Sequence, residues 1–100
     1  MYVIIKLVII MKIIKIGALW CPACLITNKS LKKITEEYDN IEVISYDYDL
    51  DEDIVKKYNV GEVLPVLIFE TEEKELGRLI GEKSYKEIKV KLDEVLQENN

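Results

Sequence analysis

Trp20-Cys21-Pro22-Ala23-Cys24 is the stretch that decides the fold, and it holds the only two cysteines of this 100-residue chain. Two thiols separated by two residues can close into a small disulfide ring or stand open as a dithiol. A run of β-forming residues precedes the pair and a helix-forming pattern follows it, so we expect the cysteines where a strand passes into a helix. This spacing in this setting is typical of an intracellular redox site.

A second landmark lies further along the chain, where Pro65 interrupts Val63-Leu64-Pro65-Val66-Leu67-Ile68-Phe69. Without the proline, this apolar run is typical of a fully buried strand. Proline cannot donate to a strand ladder, so we expect the strand to begin just after it. The run therefore predicts a buried strand with a proline at its entrance.

From Met11 onwards the pattern predicts strand, helix, strand, helix, strand, strand, helix. Pro22 suits the first turn of the first helix, where its missing N–H is not needed. Ser84 is expected to cap the last helix. The predicted strands are 12–17, 41–46, 66–69 and 75–80, and the predicted helices are 22–38, 53–58 (capped by Asp51 or Glu52) and the one after Ser84. Their apolar positions are Leu25, Leu31, Ile34 and Tyr38 in the first helix, and Ile88, Leu92, Val95 and Leu96 in the last.

Composition narrows the classes of function. One hundred residues, of which 49% are hydrophobic, suit a single domain with a real core. A formal net charge of −5 argues against nucleic acid as a partner. The absence of histidine removes the commonest general base and the commonest zinc ligand, so no metal site is predicted. The acidic stretch 47–53 is expected to be a solvated turn.

The first ten residues are apolar except for Lys6, and their status is open. As a membrane span, the stretch 2–20 would bury Lys6, Lys12 and Lys15 at about 2.5–3.5 kcal/mol each, which its apolar residues do not offset. It also fits a secretory signal poorly, so we expect a cytoplasmic protein that does not enter a membrane. Residues 1–10 are interpreted either as an added edge strand, which could pair with a second copy, or as a misassigned start before Met11. Residues 11–100 are predicted to form the domain.

The order of elements resembles the thioredoxin superfamily from Met11 to about Leu96. The matching features are the WCPAC motif at a strand-to-helix junction, Pro65 opening the third strand, and Gly81 after the hairpin. The resemblance implies an α/β, thioredoxin-like fold with a four-stranded mixed sheet and helices on both faces. It also implies that the Leu64–Pro65 bond is cis and that Pro65 lies beside Cys21.

The resemblance assigns the chemistry to the two cysteines, with Cys21 as the exposed nucleophile and Cys24 as the resolving thiol. The physics agrees, because unpaired amides at a helix N-terminus stabilise a thiolate at Cys21, while Cys24 is expected to be more shielded. Trp20, Pro22, Leu64 and Pro65 are assigned to the substrate-binding surface. The implied protein needs no bound cofactor.

Two features depart from the common thioredoxin pattern. Pro22-Ala23 stands between the cysteines where thioredoxins usually carry Gly-Pro, and proline first is the glutaredoxin order. Lys15 stands six residues before Cys21, where thioredoxins carry a buried acid. Either Lys15 points at the site and tunes its thiols, or its side chain runs out to solvent from the end of the strand.

The predicted function is thiol–disulfide exchange that reduces disulfides in cytoplasmic proteins, recharged by a reductase or a small thiol. One alternative is a glutaredoxin-like, glutathione-linked reductase, although the residues after Gly81 lack the acidic pair that holds glutathione in that family. The other is a non-enzymatic dimer whose two CxxC pairs share a metal, since zinc requires four ligands. A monomer or weak homodimer is expected.

Overall fold

The computed structural model describes residues 11–98, which form four strands and three helices in the predicted order. Each predicted bound lies within one residue of the observed one. The strands are β1 (Met11–Gly17), β2 (Ile41–Asp47), β3 (Val66–Glu70) and β4 (Glu75–Ile80), and the helices are α1 (Pro22–Glu37), α2 (Glu52–Lys57) and α3 (Tyr85–Glu98).

The four strands form one mixed sheet in the order β2-β1-β3-β4. β1 is parallel to β2 and antiparallel to β3, and β3 and β4 form an antiparallel hairpin. The connection from β1 to β2 runs through α1, as a parallel pair requires. β1 therefore lies inside the sheet, and its carboxyl end delivers the chain to the CxxC motif.

Side chains of β1 and β3 alternate between two apolar clusters, one on each face of the sheet. On one face, Ile13 and Phe69 pack with residues of α1 and α3. On the other, Ile16 and Ile68 pack with Ile54 and its neighbours in α2. Both faces of this mixed sheet are thus covered by helices, and the predicted thioredoxin-like α/β fold is confirmed.

The buried side of α1 differs from the predicted one. Leu25, one of the apolar positions of the predicted helix, is 63% exposed and lies outside the core. The helix instead buries Cys24 and the polar Thr27, whose Oγ1 accepts a hydrogen bond from the Lys83 amide at 3.2 Å. A hydroxyl can be buried at little cost where it finds a partner, and here that partner comes from the loop after β4.

The helix caps agree with the sequence in one case and differ in another. Ser84 and Glu87 form a reciprocal capping box on α3, in which each side chain accepts the other residue's amide N–H. Asp51 is the N-cap residue of α2, but its side chain makes no capping hydrogen bond there. Its Oδ2 accepts the Asp47 amide at 2.7 Å instead and so tightens the turn after β2.

The predictions for residues 1–10 lie outside the described residues. Between residues 11 and 98, none of the helices combines the length and the apolar character that crossing a membrane would take.

Candidate active site

The CxxC motif lies where β1 passes into α1. β1 ends at Gly17, a short turn follows, and Cys21 is the N-cap residue of α1 with an extended backbone (φ −102°, ψ 106°). The turn is closed by the Cys21 amide, which donates to the carbonyl of Ala18 at 3.2 Å. Pro22 occupies the first helical position, where its fixed φ suits the helix.

The Cys21 side chain caps the helix that it begins. Its Sγ accepts a hydrogen bond from the backbone N–H of Cys24 at 3.2 Å. This places the sulfur of Cys21 against the unpaired amides of the first turn, where the positive end of the helix dipole favours an anion. The arrangement is suited to holding a thiolate at Cys21.

Both cysteines are free thiols, and both are buried. Cys24 is 2% exposed, in keeping with a shielded thiol, but Cys21 is only 6% exposed, so the expectation of an exposed Cys21 was wrong. The reason is that both cysteines belong to the apolar cluster on the α2 face, together with Leu64. Only a small part of the Cys21 side chain is therefore accessible from solvent.

The Cys24 thiol is held in its protonated form. Burial, followed by the hydrogen bond with Cys21, raises the pKa of Cys24 from 9.0 to about 11. The Ala18 backbone and the charge of Lys15 lower that pKa and offset part of the rise. Close packing adds to the burial, because a Cβ at Gly17 would lie 3.0 Å from the Cys24 Sγ. Cys24 is thus a shielded thiol that is harder to ionise than an ordinary cysteine.

Pro65 lies at the entrance of β3, and the Leu64–Pro65 bond is cis, in agreement with the resemblance. Its carbonyl accepts the amide of Gly81 at 2.8 Å, and Gly81 has the positive φ of 95° that favours glycine. Leu64 is only 8% exposed, because it packs in the cluster with the two cysteines. Its side chain therefore does not offer the apolar docking surface expected of it, whereas neighbouring Val63 is 58% exposed.

Trp20 lies beside the site and is 61% exposed. Its indole Nε1 donates to the Oδ2 of Asp49 at 2.8 Å. Asp49 is held in turn by its own amide, which donates to the Oδ1 of Asp47. The turn is tied to β1 by the amide of Tyr48, which donates to the Gly17 carbonyl at 2.7 Å. Asp49 was missed from the sequence, although β1 and β2 are parallel and so end at the same edge of the sheet.

Exposed apolar side chains occur in the chain next to the cysteine motif and next to the cis peptide. Leu19 and Trp20 in the turn before Cys21, and Val63 before the cis peptide, are all exposed. Pro22 is exposed as well. Leu19 lines the cleft that Cys24 also lines, and Val63 directly precedes Leu64, which packs with the two cysteines. Neither Leu19 nor Val63 was predicted from the sequence.

Lys15 lies in β1 with its side chain half-buried. Its Nζ donates to the Oδ1 of Asn28 in α1 at 2.7 Å. Lys15 and Cys24 line the same cleft, which has a volume of about 330 Å³. The Lys15 side chain thus reaches α1 at Asn28 and lies in the cleft next to Cys24.

Comparison with known proteins places this geometry in a family. The sequence profile described as Thioredoxin matches residues 6–94. Thioredoxin from Trypanosoma brucei brucei superimposes with a TM-score of 0.79 at 26% identity, over 96% of this chain and 83% of that one. A structure of thioredoxin-2, described as a component of malaria parasite protein secretion machinery, has a TM-score of 0.78 at 22% identity, over 85% of this chain and 82% of that one. No curated protein matches the chain.

The fold and the paired thiols define the class as that of the thiol–disulfide oxidoreductases. With the profile matched across most of its length, the chain belongs to the thioredoxin family.

Proposed function

We propose that this protein reduces disulfide bonds in other proteins through the dithiol of Cys21 and Cys24. The observation that carries the proposal is the hydrogen bond of 3.2 Å from the Cys24 amide to the Cys21 Sγ. It fixes the first sulfur at the helix N-terminus and the second thiol one turn further along. One sulfur is then ready to attack, and the other is close enough to follow.

In the first step, the Cys21 thiolate attacks one sulfur of a substrate disulfide. A new S–S bond forms between Cys21 and the substrate, and the second substrate sulfur leaves as a thiolate that takes a proton from solvent. The Cys24 amide and the dipole of α1 stabilise the Cys21 thiolate before this attack.

In the second step, Cys24 resolves the mixed disulfide. Its thiol gives up a proton, and its sulfur attacks the Sγ of Cys21. The bond from Cys21 to the substrate breaks, and the substrate leaves as a second thiolate. The substrate gains two electrons, and the protein holds a Cys21–Cys24 disulfide. A reductase or a small thiol must then restore the dithiol, and no bound cofactor is required.

The docking surface for the substrate follows from the exposed groups around the thiols. Trp20 and Pro22, on either side of Cys21 in the chain, supply exposed apolar area, and so does Val63, which precedes the Leu64 that packs with the cysteines. Leu64 and Pro65 contribute backbone and shape, since their side chains are buried. An extended segment that carries a disulfide is the substrate that suits such a surface. We propose the cytoplasm as its setting and a monomer or weak homodimer as its state.

A turnover assay tests the proposal. The protein, at a concentration well below that of insulin, is expected to accelerate reduction of the insulin disulfides by dithiothreitol, and the doubly substituted Cys21→Ser, Cys24→Ser protein is the matched control. Acceleration confined to glutathione mixed disulfides would favour the glutathione-linked alternative. No acceleration, together with zinc bound in a dimer, would favour the shared metal site.

A further inference from the structure

The strand that leads to the active site carries a charge next to the resolving thiol. A Cβ built on Gly17 would lie 3.0 Å from the Cys24 Sγ and 3.6 Å from the Lys15 Cε. The sulfur and the Lys15 carbon are therefore no farther apart than the sum of these two distances. The ammonium lies one bond beyond that carbon, and its charge is close enough to lower the pKa of Cys24.

The ammonium of Lys15 is held at this position by the helix that carries Cys24. Asn28 follows Cys24 by four residues in α1, so both side chains lie on one face of that helix. The Asn28 Oδ1 accepts from the Lys15 Nζ at 2.7 Å. A strand lysine and a helix asparagine thus fix a positive charge about one helical turn from the buried thiol.

Two carboxylates line the same cleft, and their negative charge opposes the effect of Lys15 on the Cys24 thiol. Asp47 accepts the amides of Asp49 and Leu50, and Asp51 accepts the amide of Asp47, so both carboxylates are engaged by the turn. The charge of Lys15 lowers the pKa of Cys24 against the effect of burial. The titratable and charged groups that face Cys24 and this cleft are Lys15 from β1, Cys21 from α1, and Tyr46, Asp47 and Asp51 from β2 and its turn. Lys32 lines a neighbouring cleft on the other side of Asn28.

We propose that Lys15 is a positioning residue for the resolving step, in which its Asn28-held ammonium stabilises the Cys24 thiolate as it forms. This inference rests on the proposed function. The Cys24 proton passes to water in the cleft, the Cys24 sulfur attacks the Cys21 Sγ, and the substrate leaves as a thiolate. Lys15 keeps its proton throughout and acts only through its charge.

The expected change in the rate of the resolving step depends on two opposing quantities, the fraction of Cys24 that is ionised and the nucleophilicity of its thiolate. Loss of a neighbouring charge that raises the thiol's pKa by about one unit reduces the thiolate population about tenfold at neutral pH. The more basic thiolate is about threefold more nucleophilic, so the resolving step is expected to slow about threefold. The pH–rate profile of the resolving step is expected to shift to higher pH, which a merely structural role would not cause.

A two-phase thiol release separates the two steps. A limiting amount of dithiobis(nitrobenzoate) reacts with Cys21 and frees one coloured thiolate, at a rate that depends on protein concentration. Cys24 then displaces the second coloured thiolate, at a rate that does not. We expect Lys15→Met to slow only the second phase, and Lys15→Arg to restore it. Lys12→Met is the matched control, because Lys12 lies on the same strand with its side chain on the opposite face.

The outcomes are distinct. A second phase with the wild-type rate and pH dependence in Lys15→Met would overturn the inference while leaving the proposed function intact. Equal slowing in Lys15→Arg and Lys15→Met would overturn it as well, because packing and not charge would then be responsible. Absence of the second phase in the wild-type protein would overturn the proposed function itself. Should Lys15→Met fail to fold, Asn28→Ala frees the ammonium without removing it and is expected to slow the second phase more weakly.

Discussion

Replacement of Cys21 by serine is expected to lower the rate of disulfide reduction at least about a thousandfold, because a serine hydroxyl is not ionised at neutral pH and cannot attack a disulfide. The substitution changes one atom of a side chain that is 6% exposed, so the fold should be retained. The insulin assay measures the loss, and thermal unfolding verifies the fold.

The matched control is Cys24→Ser, which removes the second thiol and leaves the first. This variant is expected to attack the substrate once and then stop, so a mixed disulfide between Cys21 and the substrate accumulates. Mass spectrometry of the product under non-reducing conditions detects it. Accumulation of the mixed disulfide in Cys21→Ser instead would reverse the roles assigned to the two cysteines.

Replacement of Phe69 by alanine is expected to have the largest effect on stability, a loss of about 3–5 kcal/mol in the free energy of unfolding. Phe69 is fully buried in β3, where it pairs with Ile13 of β1 on one side and Gly77 of β4 on the other. Its ring fills the cluster that joins the sheet to α1 and α3. Since small domains have about 5–15 kcal/mol in total, this loss is a large fraction of the stability.

Denaturant unfolding of the reduced protein measures this loss. Val90→Ala is the matched control, because Val90 lies exposed on α3 and its truncation should change stability by no more than about 0.5 kcal/mol. If Phe69→Ala does not fold, Phe69→Leu offers a milder change in the same direction. Equal stability of Phe69→Ala and Val90→Ala would contradict the assignment of the core to this cluster.

The sequence predicted the order of elements well, because hydrophobic periodicity reports burial directly. The isoleucine-rich segment and the apolar run after Pro65 form the central strands β1 and β3, at the positions predicted from the hydrophobic pattern. The pattern failed where burial depends on a partner far away in the chain. Thr27 is buried because its hydroxyl accepts a hydrogen bond from the amide of Lys83. Leu25 is exposed because it does not lie on the face of α1 that packs against the sheet.

The site was predicted less completely than the fold. Cys21, Cys24 and Pro65 were visible because the chemistry fixes their types and spacing. The partner of Trp20 was not, since Asp49 is one of several acids in a turn and only the parallel pairing of β1 and β2 brings it to the indole. The burial of Leu64 and the exposure of Val63 were also hidden, because they depend on which side chain is directed inward at the entrance of β3.

The central claim, that the two cysteines form a reducing dithiol, is tested most directly by a redox titration in glutathione buffers. Trp20 is the only tryptophan and adjoins Cys21, so its emission reports closure of the disulfide. We expect a single two-electron transition at a potential below that of the cytosolic glutathione pool, which lies at roughly −220 to −320 mV depending on the method. A transition near or above that pool would contradict a reducing role. No transition, with both thiols blocked from labelling, would contradict the dithiol itself.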